Sequence, residues 1–155
     1  MKLLNPAIIV AAVLTAGSAM AGPFDRAIEA RQGLMDNLAF NLGILGGMAK
    51  GAIPYNAAAA KTAADNLVTL TTLNMGAYWP KGSDDEALKN NDVKTHALPA
   101  IWEKEGAFMD HYKTLHDASL KMQAAAGSGQ AGIQGAIRAV GGACGACHKA
   151  FRAPE

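Results

Sequence analysis

The sequence predicts an all-α chain: four antiparallel helices packed as a bundle around one core. Three observations point there. Four long stretches carry apolar residues at alternating spacings of four and three, the pattern of a helix face turned toward a bundle interior. No stretch of any length alternates apolar and polar residues at the period of two that a half-buried strand requires. Gly, Pro and Asn punctuate the gaps between the stretches, and there is no internal repeat. At 155 residues, half of them hydrophobic, the chain has the length and apolar content of one domain with one core.

The chain opens with an export signal. Lys2 is its positive start, Ala7 to Ala16 form a short apolar run, and Ala19-Met20-Ala21 is a small-x-small cleavage site. The run is too short to span a bilayer comfortably, which predicts cleavage after Ala21 and a mature domain of residues 22–155. An uncleaved N-terminal anchor is the alternative. Lys2 is the signal's only charge, so the mature chain carries as many basic as acidic residues.

The first helix is expected from Phe24 to about Lys50, with Asp25 in its first turn where a negative charge suits the helix dipole. Phe24, Ile28, Arg31, Met35, Leu38, Leu42 and Leu45 make the inward seam. Arg31 is the exception on that line, because a guanidinium there needs a partner. Beside the seam, Ala39, Gly43, Gly46 and Gly47 are small enough for another helix to approach closely.

A second helix is expected from Pro54, at its first position, to about Met75. Ala60, Ala64, Leu67, Thr71 and Asn74 give it a smaller and more polar face. Gly76 to Leu98 reads as a connection, interrupted by Pro80, Gly82, Asn90 and Asn91, with a short turn of helix at Asp84 to Lys89. Pro99 opens a third helix that runs to about Ala126 along Ile101, Glu105, Phe108, Tyr112, Leu115, Ser119 and Met122. Gly127-Ser128-Gly129 ends it. The fourth helix runs from about Gln130 to Phe151 along Ile133, Ile137, Val140, Cys144, Cys147 and Phe151.

That last seam carries the chemistry. Cys144-Gly145-Ala146-Cys147-His148 is the Cys-x-x-Cys-His attachment signature of c-type haem. Each thiol adds across one haem vinyl group and the adjacent imidazole ligates the iron. Positions i, i+3 and i+4 share one helical face, so all three side chains point at one macrocycle. A dithiol redox pair and half of a zinc site are the competing readings. A redox pair normally follows a strand in a βαβ pattern, which is absent, and a zinc site needs a second pair of ligands where the chain has only two cysteines. Haem attachment to such motifs takes place outside the cytoplasm, so signal and motif support each other.

Composition excludes other classes. Net charge is +1, charged residues are 17%, and no basic stretch carries interleaved aromatics, so no nucleic-acid partner is expected. No membrane span is expected after signal cleavage. No nucleophile elbow or phosphate loop occurs, and no His-Arg pair stands at a readable spacing to polarise a peroxide, which ranks a peroxidase last and predicts no enzyme. His111 and His116 of the third helix are weaker candidate ligands, since a lone helical His is more often on the polar face.

The mature chain resembles the cytochrome c′ family, the four-helix class of c-type cytochromes. The resemblance rests on Arg31-Gln32-x-x-Met35, on Ile101-Trp102 with Phe108, and on Cys144-x-x-Cys147-His148-x-x-x-Arg152. It implies one covalent haem c per chain, with His148 as proximal ligand, Met35 on the distal face, Arg31 near the propionates and Arg152 close to the proximal side. Gln32 and Trp102 are further candidate cofactor contacts, although core packing is the first role of Trp102. Without the resemblance, Arg31 reads equally as a structural ion pair, with Glu105 as its partner, and Arg152 as a solvated terminal arginine.

The resemblance favours a periplasmic protein with five-coordinate, high-spin haem that binds nitric oxide or carbon monoxide, transfers single electrons, or does both. The alternative is a low-spin, six-coordinate electron carrier of the same fold with Met35 as axial ligand. A redox partner protein of unknown identity follows from either reading. A homodimer through the first two helices is expected from the strip Ala39, Gly43 and Gly46 and from the family's habit of dimerising. The competing reading of the strip is that it only tightens internal packing.

Overall fold

The computed structural model describes residues 22–90 and 92–154, all-helical apart from one isolated bridge between Ala97 and Arg152. The predicted export signal lies outside the described residues. The long helices are α1 (Asp25–Ala49), α2 (Ala57–Thr71), α4 (Glu105–Ala125) and α5 (Gly129–Phe151), with a short α3 (Ala100–Glu103) before α4. A single 3-10 turn, Gly76–Tyr78, starts the long connection after α2. Helix α1 packs on α2 and α5, and α4 on α2 and α5. No helix among the described residues is long and apolar enough to cross a membrane.

The ends of the helices follow local chemistry. Helix α1 stops at Gly51, whose φ of +71° only glycine adopts without strain. The Ala52 N–H returns to the Gly47 carbonyl at 2.9 Å and the Gly51 N–H to Met48 at 3.1 Å, closing a Schellman turn. Helix α2 begins later than Pro54 suggests. Asn56 is its cap, with Oδ1 accepting from the Ala59 N–H at 2.9 Å. A capping side chain satisfies an orphan donor of the first turn, which Pro54 cannot do. The helix also ends before Met75, at Thr71, where the hydroxyls of Thr71 and Thr72 turn back on the carbonyls of Val68 and Thr69.

The third predicted helix is two helices. Lys104, at φ −129° and ψ 46°, separates α3 from α4. The reason lies outside the segment. The Leu98 N–H donates to the Phe151 carbonyl and the Ala153 N–H to the His96 carbonyl, so the end of α5 sets the direction in which the chain enters α3. Lys104 then redirects it along the bundle. The turn of helix expected at Asp84 to Lys89 is a set of hydrogen-bonded turns instead, with Asp84 Oδ1 accepting from the Ala87 N–H at 2.8 Å.

The main core joins Leu34, Leu38 and Leu45 of α1 with Leu67, Leu115, Met122, Ile133 and Val140. The predicted α1 seam is shifted at two places. Leu34 and Asn41 are buried, whereas Met35 and Leu42 are half-buried. Asn41 is accommodated because its Nδ2 donates to Asn37 O and its Oδ1 accepts from Asn66 of α2. A second, smaller cluster of Ala97, Ile101, Phe108 and Phe151 closes one end of the bundle.

Candidate functional site

Cys144, Cys147 and His148 sit one turn apart near the end of α5. All three line one cavity of about 670 Å³, together with Met35, Leu38 and Leu42 of α1 and Phe108, Tyr112 and Leu115 of α4. This explains the shift in the α1 seam: Met35 and Leu42 pack at the edge of the core with part of their surface open to the cavity. The cavity falls within the range of about 300–1,000 Å³ usual for cofactor sites.

The electrostatics separate the readings of the cysteine pair. Burial pushes the Cys147 thiol up to about 11, with the neighbouring Cys144 adding to the rise, and burial also raises Cys144. A redox dithiol depends on a depressed thiol pKa, so this environment does not suit one. His148 is held below the usual histidine value by burial first and by Arg152 second. Its imidazole is therefore neutral at neutral pH, which is the form that ligates a metal. Two protonated thiols, one neutral imidazole and an apolar cavity in front of them fit a covalently attached haem.

The other predicted residues divide. Gln32 and Arg152 line the cavity, and Gln32 Nε2 donates to Lys94 O at 2.8 Å. Arg31 lines it too, but no bond joins it to Glu105. Its partners are Tyr78, Ser83 and Thr95 of the long connection. Burial lowers its guanidinium to about 10, with Asp84 pulling the other way. Trp102 is not on this cavity. Its Nε1 donates to Trp79 O at 2.9 Å, and its ring lines a neighbouring cavity of about 460 Å³. His111 lines the main cavity and stands edge-on to Phe151 at 5.7 Å, whereas His116 is off it, 3.0 Å from the Thr71 hydroxyl through Nδ1.

Four lining residues of one segment escaped the sequence reading: Trp79, Thr95, His96 and Ala97. All lie in the connection after α2, where no periodicity reports which side chains turn inward. The available signal was Trp79 itself, a large aromatic in a segment otherwise rich in Gly, Pro, Asn and charge.

The sequence profile described as Cytochrome C′ matches residues 26–152. The chain belongs to the cytochrome c′ family. Members of this family are four-helix haem proteins that carry one covalent haem c per chain, and so does this one. Cytochrome c-554 from Cereibacter sphaeroides is 44% identical over 128 residues, which span 83% of this chain and 93% of that protein. The solved cytochrome c′ from Rhodobacter sphaeroides is 36% identical, with a TM-score of 0.79 over 86% of this chain and 100% of the other. A nitric oxide complex of the L16A mutant of cytochrome c′ from Alcaligenes xylosoxidans is 29% identical, with a TM-score of 0.71 over 84% and 95% of the two chains. As a cytochrome c′ family member, the chain thus pairs the attachment signature with a bundle that leaves a cavity against it.

Proposed function

We propose that this chain is a periplasmic haem protein in which Cys144 and Cys147 hold haem c, His148 ligates its iron, and the face under Met35 admits nitric oxide. The observation that carries the reading is the shared cavity: a thiol pair, a neutral imidazole and the Met35 thioether line a single apolar space. The haem supplies an iron centre that takes up a diatomic gas or a single electron. The chain's residues do the rest. Leu38, Leu42, Phe108 and Leu115 present hydrocarbon that disfavours polar ligands and admits a small neutral gas. Gln32 and Arg152 bring polar groups to the same cavity, where the carboxylates of the macrocycle need partners.

Visible spectra of the purified protein, ferric and ferrous, before and after addition of nitric oxide, test this directly. High-spin spectra that change stoichiometrically with the gas are expected. Low-spin spectra in both states, unaltered by nitric oxide, would leave the second reading in place.

That second reading makes Met35 an axial ligand and the protein a six-coordinate electron carrier. One observation favours it. Met35 is the one thioether among the described residues lining the cavity.

The homodimer reading has its own support. Ala39 and Gly43 are exposed on α1, and a Cβ added at Gly43 or Gly46 would meet nothing within 4 Å. Internal packing therefore does not account for Gly43 or Gly46, whereas Ala39 also lines the cavity. Phe40, next to them, is 67% exposed. Burying such a ring typically contributes about 1.5–3 kcal/mol. Sedimentation equilibrium is expected to give a dimer that Phe40→Asp converts largely to monomer; a wild-type monomer at high concentration would exclude this interface.

A further inference from the structure

A direct contact to the haem propionates leaves most of the geometry of Arg31 unexplained. The side chain is only 3% exposed and is consumed by the connection after α2. Nη1 donates to the Tyr78 carbonyl at 3.3 Å and the Ser83 hydroxyl at 2.7 Å. Nη2 donates to the Ser83 carbonyl at 2.6 Å and the Thr95 hydroxyl at 2.7 Å. Each terminal nitrogen carries two hydrogens, so these bonds engage the whole outer edge of the guanidinium and leave only Nε–H. Removing a guanidinium from water is costly, and a fully bonded outer edge offsets that cost.

The segment so held is part of the cavity. Trp79, Thr95, His96 and Ala97 line it, and among the described residues of the connection regular structure is confined to the turn Gly76–Tyr78 and the bridge at Ala97. Near its far end the segment is tied to the close of α5 through Leu98 and His96, and to α1 through Gln32 and Lys94. Arg31 supplies the tie to Tyr78, Ser83 and Thr95 together. It also sets Trp79 directly, with the guanidinium 4.7 Å over the ring. Phe108 meets the same ring at 5.0 Å in an edge contact. Trp79 Nε1 is buried without a hydrogen-bond partner among the described residues, so apolar packing and the ring contacts with Arg31 and Phe108 orient the indole.

We propose that Arg31 is a positioning residue that acts on the haem through the 76–98 connection, holding Trp79 and Thr95 in place as one wall of the haem cavity. The proposal rests on the reading of this cavity as the haem site. A lysine presents a single point charge where the fork of arginine reaches Tyr78, Ser83 and Thr95, so Arg31→Lys should restore the wall only in part.

The test compares the Arg31→Leu holoprotein with Ser83→Ala/Thr95→Val, which removes side-chain acceptors and leaves Arg31 intact. Amide hydrogen exchange across residues 78–95 and the haem reduction potential are measured in both, and in the triple variant. Exchange is expected to rise by roughly tenfold or more in each, as for loss of hydrogen bonds to a charged group. Both variants should shift the potential in the same direction, with the triple variant little different from Arg31→Leu. Unchanged exchange over 78–95 in Arg31→Leu would overturn the proposal. So would a potential shift in Arg31→Leu that Ser83→Ala/Thr95→Val does not share, since that pattern means direct contact with the macrocycle. Should Arg31→Leu yield no folded holoprotein, Ser83→Ala/Thr95→Val decides alone: faster exchange with a shifted potential supports the proposal, and wild-type values overturn it. Extraction of haem from the wild-type protein by acidified acetone would sink the attachment reading instead, and is scored separately from exchange.

Discussion

In the double variant Cys144→Ala/Cys147→Ala, haem is expected to pass completely into acidified acetone, whereas in the wild-type protein it stays with the polypeptide. The effect is all-or-none because two thioether bonds are replaced by packing and one imidazole ligand, neither of which survives acid denaturation. Each single variant should retain the haem through its remaining bond. The geometry adds a second expectation. Cys144 and Cys147 are half-buried on the cavity side of α5, and their removal takes away small side chains at its wall, so the bundle itself should stay helical by circular dichroism. Haem that remains with the polypeptide after the double change would show that attachment runs through another residue. Tightly bound zinc in the wild-type protein, with no haem, would revive the reading of the pair as half of a metal site.

Met35→Ala is the second large effect, and it separates a gas binder from an electron carrier. Met35 lies on α1, which packs on α5, the helix that carries His148, and it is half-buried where it lines the cavity they share. If its thioether covers the iron without ligating it, the variant opens space. Bulkier ligands should then bind faster, by roughly tenfold or more, equivalent to about 1.4 kcal/mol or more of barrier. The spectrum should stay high-spin. Stability should fall by about 2 kcal/mol or less, since truncation of a half-buried methionine leaves a smaller void than truncation in a sealed core. If the thioether ligates, the ferric protein shows a methionine-to-iron charge-transfer band near the red edge of its spectrum, and Met35→Ala abolishes it. Loss of such a band would make electron transfer the function. The residue type does not choose between these outcomes, because methionine is both a soft ligand and an adaptable filler of apolar space.

The sequence by itself determined the architecture and the chemical centre. Spacings of four and three placed four long helices, because a helix that buries one face must repeat its apolar residues at that period. Cys144, Cys147 and His148 were legible for the same reason: a five-residue motif on a helix carries its own geometry, and no distant residue is needed to bring its side chains to one face. Only the tertiary structure decided what lies opposite. The break at Lys104 follows from hydrogen bonds between the chain before α3 and the end of α5, ties that no local propensity encodes. Trp79 replaces Trp102 on the cavity wall because the connection after α2 folds back over α1, and a segment without periodicity does not announce which side chains it turns inward. Arg31 stood out as a charge on an apolar seam, yet its partners, Tyr78, Ser83 and Thr95, are between 47 and 64 positions away. A buried guanidinium demands acceptors, and which acceptors reach it is set by the path of the chain in space.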